Sequence, residues 1–244
     1  MTTPSPAAEA VPGPTAADFY AVNRGGGLFS EAVSQHIGAR MALAAYRRRL
    51  APTVLTVANL GLSCLVSFGV IAAAEPVADG RMWAWPVGLL ALVGWQLAYA
   101  LDCADGQLAR VTGQTSAAGA RTDVLCDVAA QIALVAALAA TAEAQVAATP
   151  AWLLAAFAGT WMVNLVTSVM AQTGAGQSLV PSRALVIRVA KLVRDYGAVV
   201  TVLALGIAFV PRWTIWLTVF FTVVNGGMLL ASIAASARAS LRRS

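Results

Sequence analysis

Apolar residues along this chain gather into six long runs separated by short polar breaks, and that alternation predicts an all-α protein. Spanning helices are expected over residues 53–74, 83–111, 119–142, 151–172, 196–210 and 213–235. The runs are rich in Ala and Leu, and most approach the roughly 20 residues a helix needs to cross a bilayer. They lack the period-two alternation of barrel strands. Pro52 stands at the entry to the first run, where a helix tolerates proline. Glu75–Arg81, Gly113–Ala118, Ala147–Pro150 and Pro211–Arg212 read as turns, and a polar, basic segment over 173–194 separates the fourth run from the fifth.

The pattern changes upstream of the first run. Between residues 28 and 50, Phe29, Val33, Ile37, Met41 and Ala44 recur at spacings of three and four, with Glu31, Gln35, Arg40 and Arg47 elsewhere on the helical wheel. Arg47, Arg48 and Arg49 close the segment. Directly before a span, this predicts an amphipathic helix lying in the membrane interface rather than an ordinary soluble one. Residues 1–18 are rich in Pro, Ala and Thr and read as a disordered tail, with no cationic and apolar pair of regions to mark a signal peptide. The expected organisation is a tail (1–18), an interfacial region (19–51), a six-helix transmembrane domain (52–238) and a short basic tail (239–244).

Composition agrees with a membrane protein. The 244 residues are 59% hydrophobic and only 11% charged, where about 25% charged is usual for a soluble domain. Net charge is +5, but the basic residues sit at helix ends, which points to topology and anionic lipid rather than nucleic acid. With six spans only Arg81 and Arg212 fall on the far side, so the positive-inside rule places both termini and the 173–194 segment in the cytoplasm. Trp83, Trp85, Trp152, Trp213 and Trp216 lie near the opposite ends, as an interfacial belt would. Cys64, Cys103 and Cys126 form no disulfide framework.

Against this background one stretch stands out. Asp102, Asp105, Asp123 and Asp127 fall between two apolar runs in a chain with only eleven acidic residues. Asp102, Asp105, Gly106, Ala109 and Arg110 share one face of a helix, Asp123 and Asp127 share a face of the next, and a short turn joins the two. Four converging carboxylates repel one another unless a cation neutralises them, and hard divalent cations prefer oxygen ligands. The constellation reads as a site for one or two metal ions that grips a phosphate-bearing substrate. Gly106 and Gly119 leave room for a nucleotide or pyrophosphate beside the backbone, and Arg110 can bind phosphate oxygens. Pairing with Arg110 and Arg121 alone leaves two carboxylates over. An ion pathway would need ionisable residues at mid-membrane depth. A zinc site with Cys103 and Cys126 is less simple than an all-oxygen one.

The order Asp102-x2-Asp105-Gly106-x2-Ala109-Arg110-x8-Gly119-x3-Asp123-x3-Asp127 resembles the signature of the CDP-alcohol phosphotransferases (CDP-alcohol phosphatidyltransferases), with every position filled. The resemblance implies a Mg²⁺- or Mn²⁺-dependent enzyme with one or two ions. It moves a substituted phosphate from a CDP-alcohol donor to a polar alcohol acceptor and releases CMP, in phospholipid synthesis. It implies metal ligation by Asp102, Asp105 and Asp123, a base at Asp127 that also touches a metal, and CDP binding by Gly106, Ala109, Arg110 and Gly119. It further implies a homodimer, for which Gly226 and Gly227 permit close helix approach. A bacterial plasma membrane is the expected location.

The acceptor is open. Arg183, Arg188, Lys191 and Arg194 can line a pocket for a phosphorylated polyol, or can be plain positive-inside charge. Val128 stands where members with phosphorylated acceptors are expected to carry a basic residue, and the Ser-Phe-Gly segment of the serine synthases is missing. CDP-diacylglycerol is the expected donor. A CDP-linked polar head group as donor is the alternative within this chemistry, and a small transporter with a metal–phosphate site is the alternative outside it. His36 reads as a solvated surface histidine.

Overall fold

The computed structural model describes residues 13–23, 27–172 and 195–241. Every element is helical, with no strand among the described residues. A short helix α1 (Ala16–Ala21) precedes a π-helical turn (Ser30–Ser34) that runs into α2 (Gln35–Arg47). Four longer helices follow: α3 (Pro52–Ala78), α4 (Ala84–Val111), α5 (Ala117–Gln145) and α6 (Ala151–Gln172). Beyond the basic segment come α7 (Tyr196–Phe209), a 3-10 turn (Pro211–Trp213) and α8 (Thr214–Leu241).

The Ala- and Leu-rich runs become helices because these side chains lose little freedom in a helix, and local chemistry fixes their ends. Pro52 opens α3 with its preset φ. Gly113 takes a φ of 69° in the turn after α4, a conformation that a side chain disfavours. Ser116 then caps α5, its hydroxyl accepting from the Gly119 N–H at 3.0 Å.

By length and composition the stretches Pro52–Ala78, Ala84–Val111, Ala117–Gln145 and Pro211–Arg238 are able to cross a membrane, while Ala151–Val163 and Tyr196–Phe209 are shorter apolar helices. These helices point to an integral membrane protein. The 14 residues of α7 rise about 21 Å, less than the ~30 Å of a hydrocarbon core. Large apolar side chains face outward along the long helices, Leu65 at 71% and Leu90 at 73% exposure among them. Trp83, Trp85, Trp152, Trp213 and Trp216 are all exposed as well.

The helix α3 lies along α4 and α5, α4 also carries α2 and α7, and α6 pairs with α8. The larger core gathers Trp95, Leu138, Phe157, Trp161, Leu203 and Phe221. A smaller one joins Phe19, Ala39, Ala42, Ala45, Leu55, Ala104 and Leu108 where α1 and α2 meet the ends of α3 and α4.

Three local expectations change. The tail expected to be disordered through residue 18 enters α1 at Ala16, because the Thr15 N–H and hydroxyl both donate to Asp18 at 2.7 Å and Phe19 is buried. The turn expected from Glu75 begins later: α3 runs through Pro76 to Ala78, held by the burial of Ala73 and Ala74 just before it. The segment over 28–50 is a π turn followed by a helix, and its small and polar residues form the face that packs inward. Ser30, Ser34, Gln35, Gly38, Ala39, Ala42 and Ala45 are buried, whereas Val33 and Ala44 are exposed. Small residues let α2 lie close on α4, so its apolar stripe remains on the outside. Residues 1–12, 24–26, 173–194 and 242–244 lie outside the described residues.

Candidate active site

The length of α4 sets where its acidic residues stand. Its 28 residues extend about 42 Å against a hydrocarbon core of ~30 Å. The surplus of about 12 Å, some eight residues, corresponds to the stretch that starts near Asp102. The turn at Gly113 leads from α4 into α5, and it is α3, packed along both, that holds the two helices across from each other.

One ligand atom each from Asp102, Asp123 and Asp127 comes within 4.8 Å of the other two. Asp102 and Asp127 lie within hydrogen-bond reach of each other. Asp123 Oδ1 is buried and has no hydrogen-bond donor beside it among the described residues. Asp102 accepts from the Asn59 amide at 3.3 Å. Arg110 is near enough for its charge to act on Asp123.

The magnitudes favour a cation here. At an effective dielectric of about 20, two unit charges 4.8 Å apart repel by about 3 kcal/mol. Three such pairs together approach about 10 kcal/mol, the size of a whole domain's net stability. One distant amide and one guanidinium do not offset that. The donor set is oxygen only and includes a residue with an orphaned buried oxygen, and it fits a hard divalent ion.

Asp105 differs from the other three. It is buried, and its Oδ2 accepts the Thr56 hydroxyl at 2.5 Å. It stands outside the compact trio. Asp127, expected as a base that also touches a metal, stands among the three closest carboxylates. Helix geometry explains this: Asp127 lies one turn beyond Asp123 on the inward face of α5, opposite Asp102.

Two of the expected CDP positions interlock. A Cβ at Gly106 would meet the Arg110 guanidinium at 2.9 Å, so the guanidinium lies directly over the glycine. Ala109 shares their side of α4 at partial exposure. Gly119 sits in the first turn of α5 with its N–H occupied by Ser116. Arg183, Arg188, Lys191 and Arg194 lie outside the described residues. His36 is exposed, with Nδ1 at 2.9 Å from the Glu31 carbonyl and its ring 4.1 Å from Tyr20. Cys103 and Cys126 are free thiols. A cavity of about 790 Å³ opens elsewhere, between α1 and the ends of α2 and α4, lined by Asp18, Tyr46, Arg49, Leu108 and Thr112 among others. None of the four aspartates lines it, so it is separate from the carboxylate chemistry.

Sequence reasoning did not single out the contribution of α3. Thr56, Asn59, Ser63 and Ser67 are buried on one face of this apolar helix. Thr56 reaches Asp105 and Asn59 reaches Asp102, while the Ser63 hydroxyl donates to Asn59 Oδ1 at 3.2 Å. Ser67 accepts from the Trp95 indole at 3.1 Å. The signal was present: four polar residues at spacings of three, four and four in an otherwise apolar run mark one helix face turned away from lipid.

Comparison with curated proteins finds no match. The family model for CDP-alcohol phosphatidyltransferase, by contrast, matches residues 49–224. That interval takes in all of α3 to α7, the turn that brings the carboxylates together and the polar face of α3. This is a family that transfers a phosphatidyl group from a CDP-alcohol and uses a divalent metal, and the acidic cluster is able to hold one. Over most of its length, then, this chain belongs to the CDP-alcohol phosphatidyltransferase family.

Proposed function

We propose that this protein transfers the phosphatidyl group of CDP-diacylglycerol to the hydroxyl of a polar alcohol, releasing CMP, with Mg²⁺ or Mn²⁺ bound at the acidic cluster. The observation that carries this reading is the convergence of Asp102, Asp123 and Asp127 within 4.8 Å, with no matching set of donors around them. Asp102, Asp105 and Asp123 serve as the metal ligands, and Asp127 touches the metal and acts as base. When bound, the cation offsets the charge of the carboxylates and of the phosphate under attack.

The chain's own groups do the rest. Arg110, lying over Gly106, holds phosphate oxygens of the donor, and Ala109 and Gly119 leave its CDP end room. Thr56 and Asn59 fix the rotamers of Asp105 and Asp102. Asp127 takes the proton of the acceptor hydroxyl as its oxygen bonds to the β-phosphorus. The bond to the CMP oxygen breaks, and CMP leaves with the electron pair. Arg183, Arg188, Lys191 and Arg194 bind a phosphorylated acceptor if that is the class used.

In this reading α6 and α7 cross the membrane with the four long helices, giving six spans over 52–238. Both termini and the site face the cytoplasm of a bacterial cell. The exposed apolar stripe of α2 rests in the interface. A second copy pairs through α8, where open space lies beside Gly227.

The test is a screen of acceptor alcohols, with and without phosphate, read as CMP release from CDP-diacylglycerol in the presence of Mg²⁺ or Mn²⁺. CMP release with one acceptor supports the reading. Release only from a CDP-linked head group reverses donor and acceptor. Tight CDP binding with no release from any CDP-alcohol overturns the enzyme and leaves a transporter.

A further inference from the structure

Outside the four-aspartate stretch, one carboxylate is enclosed more deeply than any other among the described residues. Asp195, 3% exposed, lies just before α7. Its Oδ2 accepts the backbone N–H groups of Phe29 at 2.8 Å and Ser30 at 3.0 Å. Its Oδ1 accepts the Ser30 hydroxyl and, at 3.4 Å, the N–H of Ala198. Four donors among the described residues satisfy this carboxylate. The result is a clasp between the start of α7 and the π-helical segment far upstream.

The clasp leads on to the aspartate cluster. Ser30 lies within hydrogen-bond reach of the Tyr99 hydroxyl. Tyr99 precedes Asp102 by one turn of α4. Tyr196, the residue after Asp195, packs the edge of its ring on Tyr99 with centroids 5.0 Å apart. Tyr196 is also close enough to Asp127 and Asp102 for both charges to act on it. Gln96, another turn back on α4, donates to the Gly197 carbonyl and the Thr201 hydroxyl, each at 2.7 Å, and accepts from Ser34 at 3.2 Å. The register of the three elements is thereby fixed.

Direction along α4 gives this arrangement a role. Gly106 and Arg110, on the CDP side, lie C-terminal to Asp102, the latter by about 12 Å. Tyr99 lies about 4.5 Å to the N-terminal side. In a phosphoryl transfer the attacking and leaving oxygens stand roughly in line across phosphorus. If CMP leaves on the Arg110 side, the acceptor must arrive from the other, which the tyrosine pair borders.

We propose that Tyr99 and Tyr196 form the acceptor wall of the site, with the Tyr196 hydroxyl touching the acceptor alcohol and Asp195 as the positioning residue that holds that wall. The inference rests on the transfer reaction proposed above and adds to it the residues that select the acceptor.

The test is two-substrate kinetics of the full chain in detergent micelles, with CDP-diacylglycerol and the acceptor found by the screen, alongside CDP binding by calorimetry. Tyr196→Phe keeps the ring pair and removes only the hydroxyl. It is expected to raise the acceptor KM by about tenfold, the worth of one hydrogen bond, with the KM for CDP-diacylglycerol and the CDP affinity unchanged. Asp195→Ala is expected to raise the acceptor KM at least as much with CDP affinity retained, and Asp195→Asn to recover part of the loss. An unchanged acceptor KM in Tyr196→Phe overturns the inference, as does a parallel rise in both KM values. Tyr196→Phe decides the matter even if Asp195→Ala fails to fold. Wild-type protein that releases no CMP with any acceptor removes the transfer reading and this inference with it, whereas active wild type with an unresponsive Tyr196→Phe removes the inference alone.

Discussion

Asp195 and Asp123 are both carboxylates enclosed by apolar helices, and the fold treats them in opposite ways. Asp195 receives four donors, two from the backbone of a distant segment. Asp123 keeps a buried oxygen with no donor and has Asp102 and Asp127 for neighbours. An enclosed charge must be balanced by donors, by an opposite charge or by an ion. Where donors suffice, the carboxylate is a structural fastener. Where three carboxylates converge and one keeps a buried oxygen without a donor among the described residues, the site is built for a cation.

Experiments can break this contrast, the largest effect first. Asp127→Asn should lower CMP release by about 10³-fold or more, as loss of a general base does, with CDP binding kept. Loss of CDP binding instead would assign Asp127 to metal ligation alone. Asp123→Asn should cost about 10² to 10³-fold in turnover, on the scale of losing one charge-stabilising group. It should also abolish the stabilisation that Mn²⁺ gives the wild type, about 2.7 kcal/mol at a hundredfold excess over Kd, read as a rise in melting temperature. A melting temperature that stays responsive to Mn²⁺ would contradict metal ligation there.

Stability is the next scale. Asp195→Ala should destabilise the fold by about 3 kcal/mol, because several buried donors lose their acceptor, and Mn²⁺ should still stabilise the variant. Denaturant melts with and without Mn²⁺ separate the fastener from the metal site. Smallest of all is Thr15→Ala. The Asp18 carboxyl is held below its ordinary value of 3.8 by the backbone N–H and hydroxyl of Thr15. Its contribution to α1 is therefore present above that pH and is lost as pH falls through the lowered value. Thr15→Ala, which removes the hydroxyl and keeps the backbone N–H, should weaken this dependence and leave turnover within about twofold, since it touches only an exposed cap.

Much of the site was legible in the sequence because helix periodicity fixes it locally. Asp102, Gly106, Ala109 and Arg110 share a face by spacing alone, as do Asp123 and Asp127, and a short turn brings the two faces together. Other parts were not legible, because they depend on partners far along the chain. The polar face of α3 has a readable period, but nothing local says that Thr56 meets Asp105 or that Asn59 meets Asp102. The stripe of Val33 and Met41 in the upstream segment read as the face of an interfacial helix turned to the membrane, and the spacing did not say which residues meet the protein. The buried face turned out to be the small-residue one, since close approach to α4 rewards absent side chains over apolar ones.

By itself, the sequence determined an all-helical chain with long apolar helices, the acidic signature on two neighbouring helices and the family to which it belongs. Each of these follows from hydropathy and spacing within about thirty residues. Only the tertiary structure decided that Asp102, Asp123 and Asp127 form the compact trio while Asp105 stands apart with Thr56, and that Asp195 clasps a segment some 165 residues upstream. The reason is physical: a carboxylate's role is set by which donors reach it, and in a helical bundle most of those donors come from other helices.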